Sequence, residues 1–339
     1  MKTLILKPNK ESINLACELL KKGEIVALPT ETVYGLAGDS TNSDAIQKIF
    51  LAKGRPSDNP LICHISNMEM LKKVVSFIPD DCLKLAKVFW PGPLTMIMPK
   101  SDSVCSQSCA GLDSVGVRMP DNKTTLEIIE KSGIFFSAPS ANTSGKPSPT
   151  NASDVFEDMN GKIPLIIDDG DCRAGVESTV LSLIDSTPTI LRPGVITKED
   201  IEKVLNKKVE IATGVKEEIT KDEKVLSPGM KYKHYAPNCE VIIIKSSFKE
   251  FKNYVESDNR SGVFALCFNG EEKHLSKPSL CYGDEQNSKE QAHNIFSKLR
   301  ILDKMGAKIV YARCPSSAGV GLAVYNRLIR SAGFRIIEL

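Results

Sequence analysis

Glu24–Ser40 reads EIVALPTETVYGLAGDS. Its first five residues, Glu24–Leu28, are an apolar run of the length of a buried strand. Pro29 stops that run, because proline brings no N–H to a sheet ladder. Pro29–Ser40 then reads as a polar turn rich in hydroxyls and glycines. Ligands in α/β sheets bind beyond strand ends. Thr30, Thr32 and Tyr34 are therefore candidate contacts, and Gly35 and Gly38 permit close backbone approach. An ordinary polar turn is the plainer reading of the same residues.

Outward from this stretch, apolar runs alternate with helical spacing. Asn42–Lys53 predicts a helix with Asp44 near its start and Ile46, Ile49 and Phe50 on one face. Strands are predicted over Leu61–Ile65, Leu94–Met98, Ser114–Arg118, Ile134–Ala138, Pro164–Ile167, Thr179–Leu183 and Thr189–Leu191. Asp80–Trp90 and Asp121–Ser132 read as helices, and another begins near Asn151. Thr197–Leu205 reads as a short helix with Thr197 as N-cap and Asp200 three residues on. The fold class expected is α/β, a mixed sheet with helices. From Lys207 to about Asn238 the pattern lapses into a linker that carries Tyr232, His234 and Tyr235 together. A second α/β pattern then runs from Glu240, with strands VIII, VFALCF and KIVYA separated by helices, and resembles a small doubly wound, Rossmann-like unit. The expected division is a domain over 1–207, a linker over 208–238 and a C-terminal domain over 239–339.

Bulk properties narrow the function classes. The 339 residues suit two domains. Lys and Arg number 44 against 42 Asp and Glu, a net charge of +2, so no global field draws in nucleic acid or an anionic membrane. A local basic pocket is compatible with that balance. Ten cysteines are present without a C-x-x-C pair. Free thiols, a reducing compartment and no zinc site are expected, and Cys63 and Cys267 read as small core residues. The N-terminal MKTLILKPNKES has too short an apolar stretch for a secretion signal, and no run is long enough to cross a membrane. A cytoplasmic location is expected.

Four more polar clusters stand at element ends. Ala52–Pro60, AKGRPSDNP, offers Lys53 and Arg55 to a phosphate, although cations at a helix C-terminus also complement its dipole. Arg118 in GVRMP ends a strand and suits a carboxylate, or a rim salt bridge. Ser137–Thr150, SAPSANTSGKPSPT, precedes a helix start and suits phosphate oxygens, or is a flexible loop; it lacks the Walker spacing. Ser178, Thr179 and Arg192 lie in AGVESTV and LRPG. His64 sits in the apolar LICHI, where a core histidine is the plainer reading. No G-x-S-x-G elbow occurs.

In their order, PTETVYGL, KGRPSDNPLICHI, WPGPLT, GLDSVGVRMP, SAPSAN, SPT, GVESTV and LRPG resemble the YrdC/YwlC family, and SPGMKYKHYAP resembles the linker of its long, two-domain form. Gly38-Asp39 and Cys109 depart from the family's spelling without removing a charge. The resemblance implies a YrdC-like twisted mixed sheet and an enzyme, a nucleotidyltransferase. It would make threonylcarbamoyl-AMP and pyrophosphate from L-threonine, bicarbonate or CO2, and ATP with Mg2+. The product serves threonylcarbamoyladenosine formation next to the anticodon of tRNA, through downstream transfer proteins. It further implies catalytic roles for Lys53 and Arg55, and a nucleotide side of Lys53, Arg55, Asn59, Ser140, Asn142, Ser148, Arg192 and Tyr235. Thr30, Thr32, His64, Arg118 and Ser178 would face the threonine. Tyr232, His234 and Tyr235 would form a lid, and no metal ligand would come from the protein. An RNA-binding domain of YrdC type without adenylate synthesis is the alternative, and the near-neutral charge weighs against it. A carbamoyl-transfer module, as in hydrogenase-maturation proteins, would bring zinc-finger-like Cys pairs that are missing here.

Overall fold

The computed structural model describes residues 2–215 and 235–339, in two sheets. The first has eleven strands. Across it, in order, run Leu4–Leu6, Leu165–Ile167, Val26–Leu28, Gly35–Asp39, Phe136–Ser137 and Ile62–His64. Ser114–Arg118, Leu94–Pro99, Thr179–Ser182, Thr189–Arg192 and Glu210–Ile211 complete it. Parallel and antiparallel pairs are mixed. Each of the strands expected from the apolar runs of this half is present: Ser114–Arg118 keeps its bounds, Leu94–Pro99 and Thr189–Arg192 run one residue further, and the others are shorter by one to three residues. Order in the sheet continues to Glu210–Ile211, inside the stretch read as linker.

The expected turn over Pro29–Ser40 is only half a turn. Gly35–Asp39 is a strand, antiparallel to Val26–Leu28 and to Phe136–Ser137. Two glycines in five residues hide it from a propensity reading. Close approach of the neighbouring segment explains one of them, since a Cβ on Gly35 would lie 3.1 Å from that of Ala138. Lys10–Lys21, a helix with an Asn9 cap, was also absent from the sequence reading.

Helix Ser43–Lys53 shows how local chemistry places a functional side chain. Asn42 caps its start by accepting from the N–H groups of Asp44 and Ala45. Gly54, at φ +61°, ends it in the left-handed conformation that glycine adopts without a Cβ penalty. Its buried face is Ala45, Ile46, Ile49, Phe50 and Lys53. Each isoleucine contributes about 1.5–3 kcal/mol by leaving water. The same 3.6-residue period carries Lys53 into the interior with them. Helix Lys198–Leu205 has the expected box, Thr197 accepting from the Asp200 N–H while the Asp200 side chain accepts from the Thr197 N–H.

The C-terminal sheet is wholly parallel: Ser279–Cys281, Val263–Cys267, Ile309–Arg313, Glu240–Lys245 and Ile336–Glu338. Helix Phe248–Ser257 packs its Phe251 and Val255 on one face. Helices Ser288–Lys304 and Gly321–Ser331 cover the other, in a cluster that also takes in Val33, Val176 and Tyr235. The C-terminal core is therefore continuous with the loop Pro29–Tyr34 and with the approach to strand Thr179–Ser182. Charged contacts frame the junction. Buried Arg300 donates to Pro147 O and to Asp158 Oδ2, at 2.6 and 2.7 Å. All ten cysteines are free, and Cys63 and Cys267 are fully buried as expected.

Gly175 lies at this junction at φ +76°, and a Cβ there would stand 2.4 Å from His293 Cα and O. Gly175→Ala is expected to lose about 2 kcal/mol or more of stability, from backbone strain and the clash together. Urea unfolding measures it; a loss below about 0.5 kcal/mol would show that the two domains part there without cost.

Candidate active site

One pocket gathers most of the expected residues. Thr30, Thr32, Lys53, Arg55, His64, Arg118, Ser140, Asn142, Ser178, Arg192 and Tyr235 all line it. Asn59 and Ser148 do not. Asn59 stands behind Arg55, which donates to the carbonyls of Asn59 and Pro60. Ser148 turns its hydroxyl to Glu177. Tyr232 and His234 fall outside the described residues.

Sheet register builds one half. Strands Ile62–His64 and Ser114–Arg118 run parallel with His64 opposite Arg118, and Phe136 opposite His64 from the other side. Arg118 NH1 donates to Thr32 Oγ1 at 2.9 Å, and its NH2 lies 2.6 Å from Glu31 Oε2. That contact is an ion pair; neither Nε nor NH2 of this buried guanidinium makes a hydrogen bond. A guanidinium lining a pocket is a ready partner for a ligand carboxylate. The Thr30 hydroxyl holds the turn by accepting from the Thr32 and Val33 N–H groups and donating to Val33 O. Burial, reinforced by Arg118, pulls His64 down to about 3, so its imidazole is neutral at physiological pH. Its Nδ1 lies 3.1 Å from Ile62 O and, with an acceptor there, carries the proton.

The other half is organised by Lys53. Its ammonium donates to Ser140 O, to Asn142 O at 2.7 Å and to Asn142 Oδ1 at 3.4 Å. Asn142 in turn donates to the carbonyls of Thr143 and Lys146. Burial, then Arg55, holds the Lys53 pKa well below the usual lysine range. Lys53 thus fixes the Ser140–Lys146 loop and supplies charge, rather than a spare N–H. Across the pocket, Arg192 donates to Ser178 O and Ser178 Oγ at 3.1 Å each. The Ala236 N–H donates to Gly145 O, which fastens the chain beside Tyr235 over the same loop.

Five cations, Lys53, Arg55, Arg118, Lys146 and Arg192, line the pocket against one carboxylate, Glu177. In a chain of net charge +2 this is a local concentration that suits a polyanion. Glu177, Glu31 and Lys146 had no assigned role in the sequence reading. Both glutamates sit inside quoted motifs, GVESTV and PTETVYGL, where an acid amid hydroxyls and apolar residues was the available signal. Among the described residues, no group of three or more His, Cys, Asp and Glu is placed to hold a metal ion.

The chain is similar to known proteins throughout its length. Residues 18–194 match the family described as "Telomere recombination", and residues 196–333 match "Threonylcarbamoyl-AMP synthase, C-terminal domain". The threonylcarbamoyl-AMP synthase of Pyrococcus abyssi is 42% identical over 335 residues, 96% of each chain. That of Bacillus subtilis is 41% identical over 337 residues, 98% of this chain and 96% of the relative. The crystal structure of P. abyssi Sua5 complexed with L-threonine superposes with a TM-score of 0.93 at 40% identity, covering all of both chains.

In the unfolded chain a histidine titrates near 6.5, whereas His64 in the fold resists protonation down to about 3. Between those values the unfolded state binds the extra proton, so stability falls as pH falls. The limit is ~1.4 kcal/mol per pH unit. His64→Gln is expected to flatten the slope of unfolding free energy between about pH 6 and 4 by close to one proton. An unaltered slope would place His64 in water.

Proposed function

Because the chain belongs to the threonylcarbamoyl-AMP synthase family, we propose that its pocket joins L-threonine, bicarbonate or CO2, and ATP into threonylcarbamoyl-AMP and pyrophosphate. The enzyme class is an adenylyl-transferring one; the substrates and the division of the pocket are the proposal. The observation that carries it is one pocket that joins a cation-rich half to a half where Arg118 stands among the hydroxyls of Thr30, Thr32 and Ser178 and a neutral His64.

Arg118 receives the threonine carboxylate in this reading, with Thr30, Thr32, neutral His64 and Ser178 around the amino acid. Lys53, Arg55 and Arg192 face the phosphates, with Ser140, Asn142 and Tyr235 beside the nucleotide and Asn59 and Ser148 supporting them from behind. The threonine nitrogen, as the free amine, attacks the carbon of CO2 and loses a proton to give the carbamate. A carbamate oxygen then attacks the α-phosphorus, and the bond to pyrophosphate breaks. No protein nucleophile is needed; positioning and charge neutralisation do the work. Magnesium enters on ATP, since Glu177, the only carboxylate among the described lining residues, already accepts from Ser148 and Arg327. A neutral His64 also avoids adding a second positive charge, beside Arg118, on the threonine side.

The product is a reactive mixed anhydride, which fits hand-over to proteins that threonylcarbamoylate the tRNA adenosine next to the anticodon. ATP and tRNA as reaction partners place the enzyme in the cytoplasm in this reading. No helix among the described residues is long and apolar enough to cross a membrane.

Purified protein is expected to release pyrophosphate from MgATP only when both L-threonine and bicarbonate are present. Lys53→Ala should lower that release by ~100-fold or more with the circular dichroism spectrum retained. Arg118→Met should raise the threonine KM at least tenfold while the ATP KM changes little. Release that ignores threonine, or tight RNA binding without release, would reject the synthase reading. For the Tyr235 lid, Tyr235→Ala should reduce kcat more than it reduces the midpoint of urea unfolding.

A further inference from the structure

Helix Gly321–Ser331 of the C-terminal domain is buried on nearly all sides, with only Tyr325 partly open to solvent. Such helices are ordinarily apolar, yet this one carries Asn326, Arg327 and Arg330 into the interior, at 3, 0 and 3% exposure. Arg327 crosses between the domains. Its Nε donates to Glu177 Oε2 at 2.8 Å, and its NH1 donates to Asn326 Oδ1 at 2.8 Å. Its guanidinium carbon lies 5.5 Å from the centroid of the Tyr235 ring, which also meets Phe296 at 5.1 Å. Asn326 and Arg330 donate to Val215 O and Gly214 O, each at 2.6 Å. One turn of helix therefore grips Gly214–Val215, Tyr235 and the carboxylate of the active-site pocket.

Burying a cation fully costs more than a single ion pair commonly returns, and such pairs are better explained by what they fix in place. Glu177 is the carboxylate at stake. It stands among Arg192, Lys53 and Tyr235 as well as Arg327, and accepts from Ser148. Burial pushes its pKa up, and Arg327, Arg192 and the Ser148 hydroxyl more than reverse that, so it is held ionised. Left alone, that charge would oppose the cations that line the pocket.

We infer that Arg327 is a positioning residue of the nucleotide site: it neutralises and orients Glu177 and seats the Tyr235 ring, so that the C-terminal domain completes the active-site wall. This rests on the nucleotide reading of the pocket. The role is electrostatic, and it differs from packing in its dependence on pH. With Arg327 removed, ionised Glu177 repels the phosphates, and protonating it at lower pH relieves the repulsion.

The test is MgATP affinity of the full chain by calorimetry at pH 8 and pH 5.5, expressed as the ratio of variant to wild type so that titration of ATP cancels. Arg327→Met is expected to weaken binding at least tenfold at pH 8 and at least threefold less severely at pH 5.5. Glu177→Gln/Arg327→Met, in which neither partner of the pair is charged, should fold and bind at least threefold better than Arg327→Met at pH 8. Where the single variant fails to fold, the double variant is compared with Glu177→Gln alone, and a gap above tenfold between them defeats the proposal. Arg327→Lys keeps the charge and should lose less than half as much affinity as Arg327→Met. A loss equal at both pH values, or affinity unaltered in Arg327→Met, overturns the inference. Wild-type protein that binds MgATP yet releases no pyrophosphate would defeat the synthase reading and leave this one standing; wild type that binds no MgATP defeats both.

Discussion

A lysine ammonium with no water around it must spend its three protons on protein oxygens, and Lys53 spends them on Ser140 and Asn142. The consequence runs in both directions. Helix Ser43–Lys53 cannot shift without moving the Ser140–Lys146 loop, and that loop cannot relax without leaving a buried charge unsolvated. Arg300 holds the same loop from the other domain through Pro147 O, and the Ala236 N–H holds it through Gly145 O. Three independent attachments therefore converge on one segment of irregular backbone. The result is a preorganised site, in which the cost of ordering the loop is met by folding rather than by substrate.

Charge balance is the second constraint. Four of the five pocket cations are buried or half-buried: Lys53, Arg55 and Arg192 lean on carbonyls and Arg118 on Glu31, while the exposed Lys146 pairs with Asp158. The two carboxylates Glu31 and Glu177 differ in accessibility to the lining. Glu31 sits under Arg118 and sets its orientation, whereas Glu177 faces the pocket and is held by Ser148 and by Arg327 from the far domain. Positive charge is thus distributed so that substrate anions complete it rather than merely add to it. A neutral His64 fits the same scheme, because burial and Arg118 both act against a further proton.

The linker residues that the structure describes fit between these constraints. Tyr235 has φ of 64°, unusual for a residue with a side chain, and its ring is held between Phe296 and the Arg327 guanidinium. Backbone in that conformation persists where surrounding contacts over-determine it. Both helices that do so belong to the C-terminal domain. That domain therefore acts on the pocket through contacts only a folded partner can make.

Much was legible in the sequence. The period of Ile46, Ile49 and Phe50 gave the helix, and the spacing continued to Lys53; the strand runs Leu61–Ile65 and Ser114–Arg118 located His64 and Arg118 within a residue. Capping at Thr197 followed from side-chain chemistry alone. These are local properties, fixed by backbone geometry within a few residues. Strand Gly35–Asp39 was missed because Gly35 answers to Ala138, a neighbour a hundred residues away, and Gly38 to Ile25 and Ile49 packed against it. Register, which sets His64 against Arg118, is likewise a pairing of distant segments. By itself the sequence determined which residues carry charge and hydroxyls, and the family to which their order belongs. Only the tertiary structure decided that Lys53 is occupied by carbonyls, that Glu31 and Glu177 are the counter-charges, and that Arg327 reaches the site from another domain. The reason is physical: burial and long-range pairing fix the energy of a charge, and neither is written in its immediate neighbours.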